Sequence, residues 1–370
     1  MEQPHSALPI ALSVAATYSI AAVVFAAYSL SPLGVVLCLP GVLLVAAMIA
    51  RAIRATPPTL SGVRIGTQHS RLLDTLAVRL GMAPPVADHA QKPRFLLVAM
   101  PINHYGEKVR WILDLLSAPY EEATVGGLIS AFLHGRSVPS LVDRQSCSRI
   151  GNSDECLAFL SAVHVPTMAP EGARARAVGL LRRDQRTIAW EARLNELGHL
   201  VQGWAYYYVL ATGRSCHGCL TAWGAFEPRV PLGHRAILLV GRLFFKHAMR
   251  AAFDLTSDDV RDRRRRLMDE IFAAADDALE EQAFLTGPEP SYVDIGFCSL
   301  VAPLLASSIV FAQPSRYANG RFASFSGAFE RLAGEWPREL LEFEQHLANR
   351  PCGRFVERMY RERASARCAN

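Results

Sequence analysis

Between His5 and Arg51 the chain runs for 45 residues without one Asp, Glu, Lys or Arg. No other feature constrains the fold so strongly. The run divides into two apolar stretches, Ala7 to Leu30 and Leu33 to Ala50, with Ser31, Pro32 and Gly34 reading as a turn between them. A helix that crosses a bilayer needs roughly 20 apolar residues, within a range of about 17–25. Both stretches satisfy that, and Pro40 would kink the second. A secretory signal would begin with basic residues and carry a shorter apolar core; here no Lys or Arg precedes the run. The pattern predicts a transmembrane helical hairpin within residues 1–50, with two spans preferred over one and the lipid bilayer as the partner of residues 7–50. Arg51, Arg54, Arg64 and Arg71 follow the run, ahead of the first acid, Asp74. By the positive-inside rule this predicts an integral membrane protein whose folded domains face the cytosol. Eight scattered cysteines, without a disulfide framework, agree with that compartment.

The remainder reads as globular. With 51% hydrophobic and 20% charged residues, the 370-residue chain is too apolar to be disordered. A net charge of +5 without a long Lys/Arg tract argues against a nucleic-acid partner. There is no P-loop, G-x-G-x-x-G, H-E-x-x-H or internal repeat, and no metal site is expected. Residues 51–92, punctuated by Pro57-Pro58 and Pro84-Pro85, read as a linker around one short helix. Ser70 would cap that helix, and Leu72, Leu73, Leu76, Val78 and Leu80 would give it an apolar side.

The periodicity then changes. Arg94 to Pro101 is a buried-strand pattern ended by proline. Asn103 to Leu116 carries Val109, Ile112, Leu113 and Leu116 at helical spacing, and Pro119 to Val125 begins a second strand. Strand, helix and strand with short joints make a parallel βαβ unit. Val138 to Val142 is a further strand opening on Pro139, which suits an edge or a special turn. In the stretch Ile150 to Leu160 that follows, Asn152 or Ser153 would cap a helix with Leu157, Phe159 and Leu160 as its apolar positions. Helical patterns recur at Thr187–Leu210 and Asp258–Glu281. The stretch Phe284 to Phe297 contains a capping box in which Ser291 caps a buried helix and Asp294 bonds back to it.

Three of these pieces resemble the glutathione transferases. Asn103-His104-Tyr105-Gly106-Glu107-Lys108-Val109-Arg110-Trp111 is similar to that family's Ser-His-Tyr-Cys-Glu-Lys-Val-Arg-Trp stretch. Val138-Pro139-Ser140-Leu141 is similar to its Val-Pro-x-Leu strand, whose proline is cis. Gly151-Asn152-Ser153-Asp154 is similar to the turn that holds the γ-glutamyl carboxylate of glutathione. The Phe284–Phe297 capping box and the tail Arg350–Arg361 resemble the family as well. The resemblance implies a fold class of α/β plus all-α: a thioredoxin-like, glutathione-binding domain over residues 93–165, an all-helical domain over 171–362, and a tail over 363–370. It implies glutathione as a co-substrate, a hydrophobic electrophile as the second partner, and allows a homodimer.

The implied chemistry is activation of a thiol, since the thiolate is the nucleophile. The N-terminus of the helix after the first strand offers free N–H groups and positive dipole to that sulfur. Where the family places a hydroxyl or thiol, this chain has Asn103, and where a second cysteine would follow it has Gly106. The Asn103 side-chain NH₂ can donate to a thiolate but cannot form a mixed disulfide; alternatively Asn103 only caps the helix. Tyr105 is the second catalytic candidate and His104 a glutathione contact, with packing as the plain alternative for both. The backbone of Val138, beside Pro139, would pair with the cysteinyl part of the tripeptide. Asn152 and Ser153 would hold its γ-glutamyl carboxylate, and Asp154 its ammonium group. Lys108 and Arg110 are expected on a solvated helix face. Two competing functions stay open. One is the same fold kept as a non-enzymatic binding or scaffolding module at a membrane. The other is thiol redox through Cys216 and Cys219. The basic run at Arg261 and Arg263–Arg266 is expected to be a solvated helix with mixed charges.

Overall fold

A computed structural model describes residues 63–65, 93–100, 103–126, 138–146, 148–210, 220, 223–255, 257–305 and 338–368. Five strands form one sheet: β1 (Val63–Ile65), β2 (Phe95–Ala99), β3 (Tyr120–Thr124), β4 (Ser140–Asp143) and β5 (Ser148–Gly151), in the order β1-β5-β4-β2-β3. β2 and β3 run parallel, joined by helix α1 (His104–Leu115), as the βαβ pattern predicts. β4 pairs antiparallel with β2, and β5 with β4. Helix α2 (Ser153–Phe159) closes the unit. β4, which opens after Pro139, is an interior strand, so the proline marks a special turn; the Val138–Pro139 bond is cis. β1 and β5 are additions that the periodicity did not reveal: β1 lies inside the expected linker and pairs antiparallel with β5, which takes up Ile150 and Gly151 ahead of the α2 cap.

The helical half begins with α3 (Glu171–Leu180) and α4 (Gln185–Val209). It continues through α5 (Leu232–Val240), α6 (Arg242–Ala252) and α7 (Asp258–Glu281) to α8 (Tyr292–Val301), α9 (Arg338–Asn349) and α10 (Pro351–Cys368). Every residue of α8 is buried, as befits a helix that is apolar nearly all round. It packs against α1, α4 and α10 and so ties the sheet to the helices. Phe95, Leu97, Ala99, Val109, Ile112, Leu141, Ile150, Phe272 and Phe297 are wholly inaccessible members of one continuous core. A thioredoxin-like sheet followed by a helical domain is the expected architecture. α10 runs past residue 362 to Cys368, and Arg363, assigned by sequence to the tail, is buried.

The localisation expectation requires correction. Among the described residues no helix is long and apolar enough to cross a membrane, so none of them supplies the bilayer span on which the integral-membrane, cytosol-facing expectation rests. The hairpin placed at residues 7–50, the helix around Leu72–Leu80 and the Cys216/Cys219 pair lie outside the described residues.

Candidate functional site

Strand register sets the site. Val98 lies opposite Ser140, and Ser140 opposite Gly151. The chain leaves β2 just past Val98, enters β4 just before Ser140, and leaves β5 at Gly151. The N-terminus of α1, the Val138–Pro139 bond and the N-terminus of α2 therefore meet at one end of the sheet. Pro139 C=O accepts from Asn152 N–H at 3.1 Å, joining two of the three segments.

Asn103 caps α1. Its backbone is extended, and its Oδ1 accepts from Gly106 N–H at 2.9 Å. The residue is buried. The carbonyl half of the amide is thus engaged, and the NH₂ half is its donor. Gly106 packs closely on the sheet: a Cβ there would lie 3.2 Å from that of Ala99. The approach of helix to strand favours the missing side chain at the position where the resembled motif has cysteine.

The His104 and Tyr105 rings lie tilted against each other at 41°, with centroids 4.3 Å apart. Burial, reinforced by His199 of α4, pushes the His104 imidazole down to about 4, so it is neutral near pH 7. Its Nε2 is buried without a hydrogen bond among the described residues. The Tyr105 hydroxyl is seated against Gly198 of α4, leaving no room for a Cβ there. Burial, then the charge of Asp154, raises this phenol above its ordinary range and keeps it protonated. Tyr105 is a packing residue between the two halves, with a hydroxyl that resists ionisation.

At the second helix the cap is Asn152, whose Oδ1 accepts from Asp154 N–H at 3.0 Å. Asn152 is exposed and adopts φ 69°, in the left-handed region; Asn tolerates this better than most residues. Ser153 is buried. Asp154 is ion-paired with Lys108, so its carboxylate already has a cation.

That pairing corrects the expectation for Lys108 and Arg110. Lys108 is buried, and a Cβ on Gly296 of α8 would lie 3.4 Å from its Cε. Arg110, also buried, donates to Glu122 at 2.8 Å and to Glu107 at 3.4 Å. Neither side chain faces solvent. Position on the helical wheel could not show this, because Asp154 and Glu122, which compensate these cations, lie on other elements. Gly198 is a second residue that the motifs did not flag. A glycine within the helical pattern of Thr187–Leu210 was its signal, because such glycines often mark close packing.

Ser291 and Asp294 are structural, as expected. Asp294 accepts from Leu285 N–H, Ser291 N–H and the Ser291 hydroxyl, each at 2.8 Å, and both residues are wholly buried. Cys156, Cys298 and Cys352 are buried free thiols pushed above the ordinary range by burial. Among the described residues no cluster of three or more His, Cys, Asp or Glu side chains is placed to hold a metal ion. Arg261 pairs with Asp262 at 2.8 Å and Arg265 lies 3.9 Å from Asp269, in keeping with a mixed-charge helix.

No family model and no curated protein matches the chain. Similar solved structures include glutathione transferases. One from Pseudomonas fluorescens, with two glutathione molecules bound, shares 14% identity at a TM-score of 0.38, covering 73% of this chain and 95% of that one. One from Burkholderia graminis, also with two glutathione molecules per subunit, shares 13% identity at a TM-score of 0.38, covering 79% and 96%. A theta-class enzyme from Xanthomonas axonopodis with glutathione bound shares 18% identity at a TM-score of 0.30, covering 71% and 97%. These values are too low to assign the chain to a family.

Proposed function

We propose that the chain binds glutathione where α1, the Val138–Pro139 bond and α2 converge, and presents its thiolate to an electrophile. The register Val98–Ser140–Gly151 carries this reading, because it gathers two helix N-termini and a strand entry at one edge. Two helix N-termini favour an anionic ligand with two charged ends. Two buried polar atoms at the same edge, His104 Nε2 and Ser140 Oγ, have no hydrogen-bond partner among the described residues and suit a polar ligand. Asn103 NH₂ would donate to the sulfur, lowering the cost of ionising the thiol. The thiol proton leaves to solvent, the S–C bond forms, and the electrophile's leaving group departs with the bonding pair. Val138 would pair with the peptide backbone of the ligand, while Asn152 and Ser153 would hold its γ-glutamyl carboxylate. Asp154 would reach the ammonium group from its pair with Lys108.

One observation favours a second reading, a binding module without turnover. The Asn103 carbonyl is taken by its capping bond, and the Tyr105 hydroxyl is packed against Gly198. Neither supplies a readily ionised group. Calorimetry of the full chain with glutathione, together with conjugation to a dinitrophenyl halide, separates the two. Asn103→Asp keeps a capping oxygen but removes the NH₂ donor. Under the first reading it lowers turnover roughly tenfold to a hundredfold, the worth of a hydrogen bond to a charged group. Binding without turnover in the parent chain establishes the module. Absence of binding at millimolar glutathione rejects both.

A further inference from the structure

The structure contains a cavity of about 1130 Å³ at the other end of α1. The 12 residues of α1 put it about 18 Å from the convergence of helix N-termini. Its walls include Trp111, Leu116, Met168, Leu180, Ile295 and Met359. The volume suffices for a small organic molecule, and walls of this kind are what such molecules occupy.

Its polar content is specific. Arg363 of α10 is buried and stacks on Trp111, its guanidinium carbon 4.5 Å from the ring centroid. Nη1 is paired with Glu107, and Nη2 with Asp114 at 2.8 Å. Nε is buried with no hydrogen bond among the described residues, and Arg363 lines the cavity. His164 lines it as well. Its ring stands edge-on to Phe95 at 5.3 Å, and its Nδ1 likewise lacks a bond. A buried N–H donor without an acceptor costs about 1–3 kcal/mol, and a ligand acceptor would recover that.

Charge excludes one class of ligand. Arg363 and Arg110 stand against Glu107, Asp114 and Glu122, leaving this cluster one negative charge in excess. On the rim Glu362 is paired with Arg358 and Glu289 stands against Arg176, so the rim does not offset that excess. A carboxylate or phosphate would enter a field of its own sign. From the unpartnered donor, the apolar walls and this charge balance, we infer that the cavity binds a neutral, largely apolar molecule carrying a single carbonyl-type acceptor.

The test uses the full chain and three probes. Nile red is neutral with a ring carbonyl; pyrene is apolar without an acceptor; anilinonaphthalene sulfonate is anionic. The expected result is saturable binding of one Nile red at micromolar concentration, with weaker binding of the other two. Gly179→Leu places a side chain in the cavity wall where an added Cβ meets nothing within 4 Å. It should fold at least as well as the parent, since Leu is the better helix former, and lower Nile red affinity tenfold or more. Arg363→Lys keeps a cation for Glu107 and Asp114 but puts a methylene where Nε stood. It should weaken Nile red about tenfold, one hydrogen bond's worth, and leave pyrene unchanged. Unaltered Nile red binding in Gly179→Leu would overturn the site. Equal loss of Nile red and pyrene in Arg363→Lys, or tighter binding of the sulfonate than of Nile red, would overturn the ligand class.

Discussion

Two polar turns in this molecule read alike in sequence and differ in space. Ser291-Tyr292-Val293-Asp294 and Asn152-Ser153-Asp154 each open a helix with a capping side chain followed by an acid. In the first, the acid bonds back within its own turn: Asp294 receives three hydrogen bonds in a fully buried setting. In the second, the cap is exposed and the acid turns instead to Lys108, a residue of another helix. A turn whose polar atoms are consumed inside itself is a structural cap. A turn that leaves its cap exposed, at an edge where a second helix also begins, is available to a ligand.

Breaking the buried turn should have the largest effect. Asp294→Ala orphans two buried backbone N–H groups, at about 1–3 kcal/mol for each, while the Ser291 hydroxyl keeps Thr286 as a partner. A loss of roughly 3 kcal/mol or more is expected, read as a drop in the urea midpoint with an unchanged slope. A loss below 1 kcal/mol would mean that water reaches the turn.

The pair that ties α1 to α2 should come next. Lys108→Met removes the cation under Asp154. The carboxylate is about one third exposed, so water compensates it in part, and about 1–2 kcal/mol is expected rather than the larger cost of a wholly buried pair. The same denaturation experiment with Asp154→Asn as the partner, run as a double-mutant cycle, isolates the coupling.

The cap of α1 follows. Asn103→Ala should cost about 1 kcal/mol of stability, while Asn103→Asp should cost less and still lower any conjugation activity. Beside it, the pH dependence has a definite sign. The folded pKa of His104 is depressed from 6.5 to about 4, so the folded state resists protonation more than the unfolded chain does. Its stability is fully present above pH 6.5 and is lost as pH falls toward 4. His104→Phe should flatten that part of the urea-midpoint profile; an unchanged slope between pH 6.5 and 4.5 would place the imidazole in contact with water. The smallest effect is expected at Asn152→Gly. Glycine costs only a few tenths of a kcal/mol as a cap and suits φ 69°, so thermal stability should barely move.

Much of the fold was legible from local patterns. Val109, Ile112 and Leu113 marked the inner face of α1, and all three are inaccessible. The predicted helix over Asp258–Glu281 has those bounds. The capping box at Ser291 was readable because each of its bonds closes within ten residues. The candidate site was legible as residue types but not as roles. Nothing near Tyr105 in sequence announces that its hydroxyl rests on Gly198, and β1 pairs with a strand more than eighty residues further on.

By itself, the sequence determined the β2–α1–β3 unit and strand β4, the caps at Asn103 and Ser291, and the helices α4, α7 and α8. Those follow from interactions between near neighbours: side-chain periodicity, turn chemistry and the hydrogen-bonding groups within reach of a helix end. Only the tertiary structure decided which charges are buried. Glu107 and Arg363, 256 residues apart, meet inside the protein, and Lys108 leaves the solvent because Asp154 and the bare backbone at Gly296 make room for it. A charge can be buried only where a partner of opposite sign is brought to it. That depends on how distant segments pack, which no local pattern encodes.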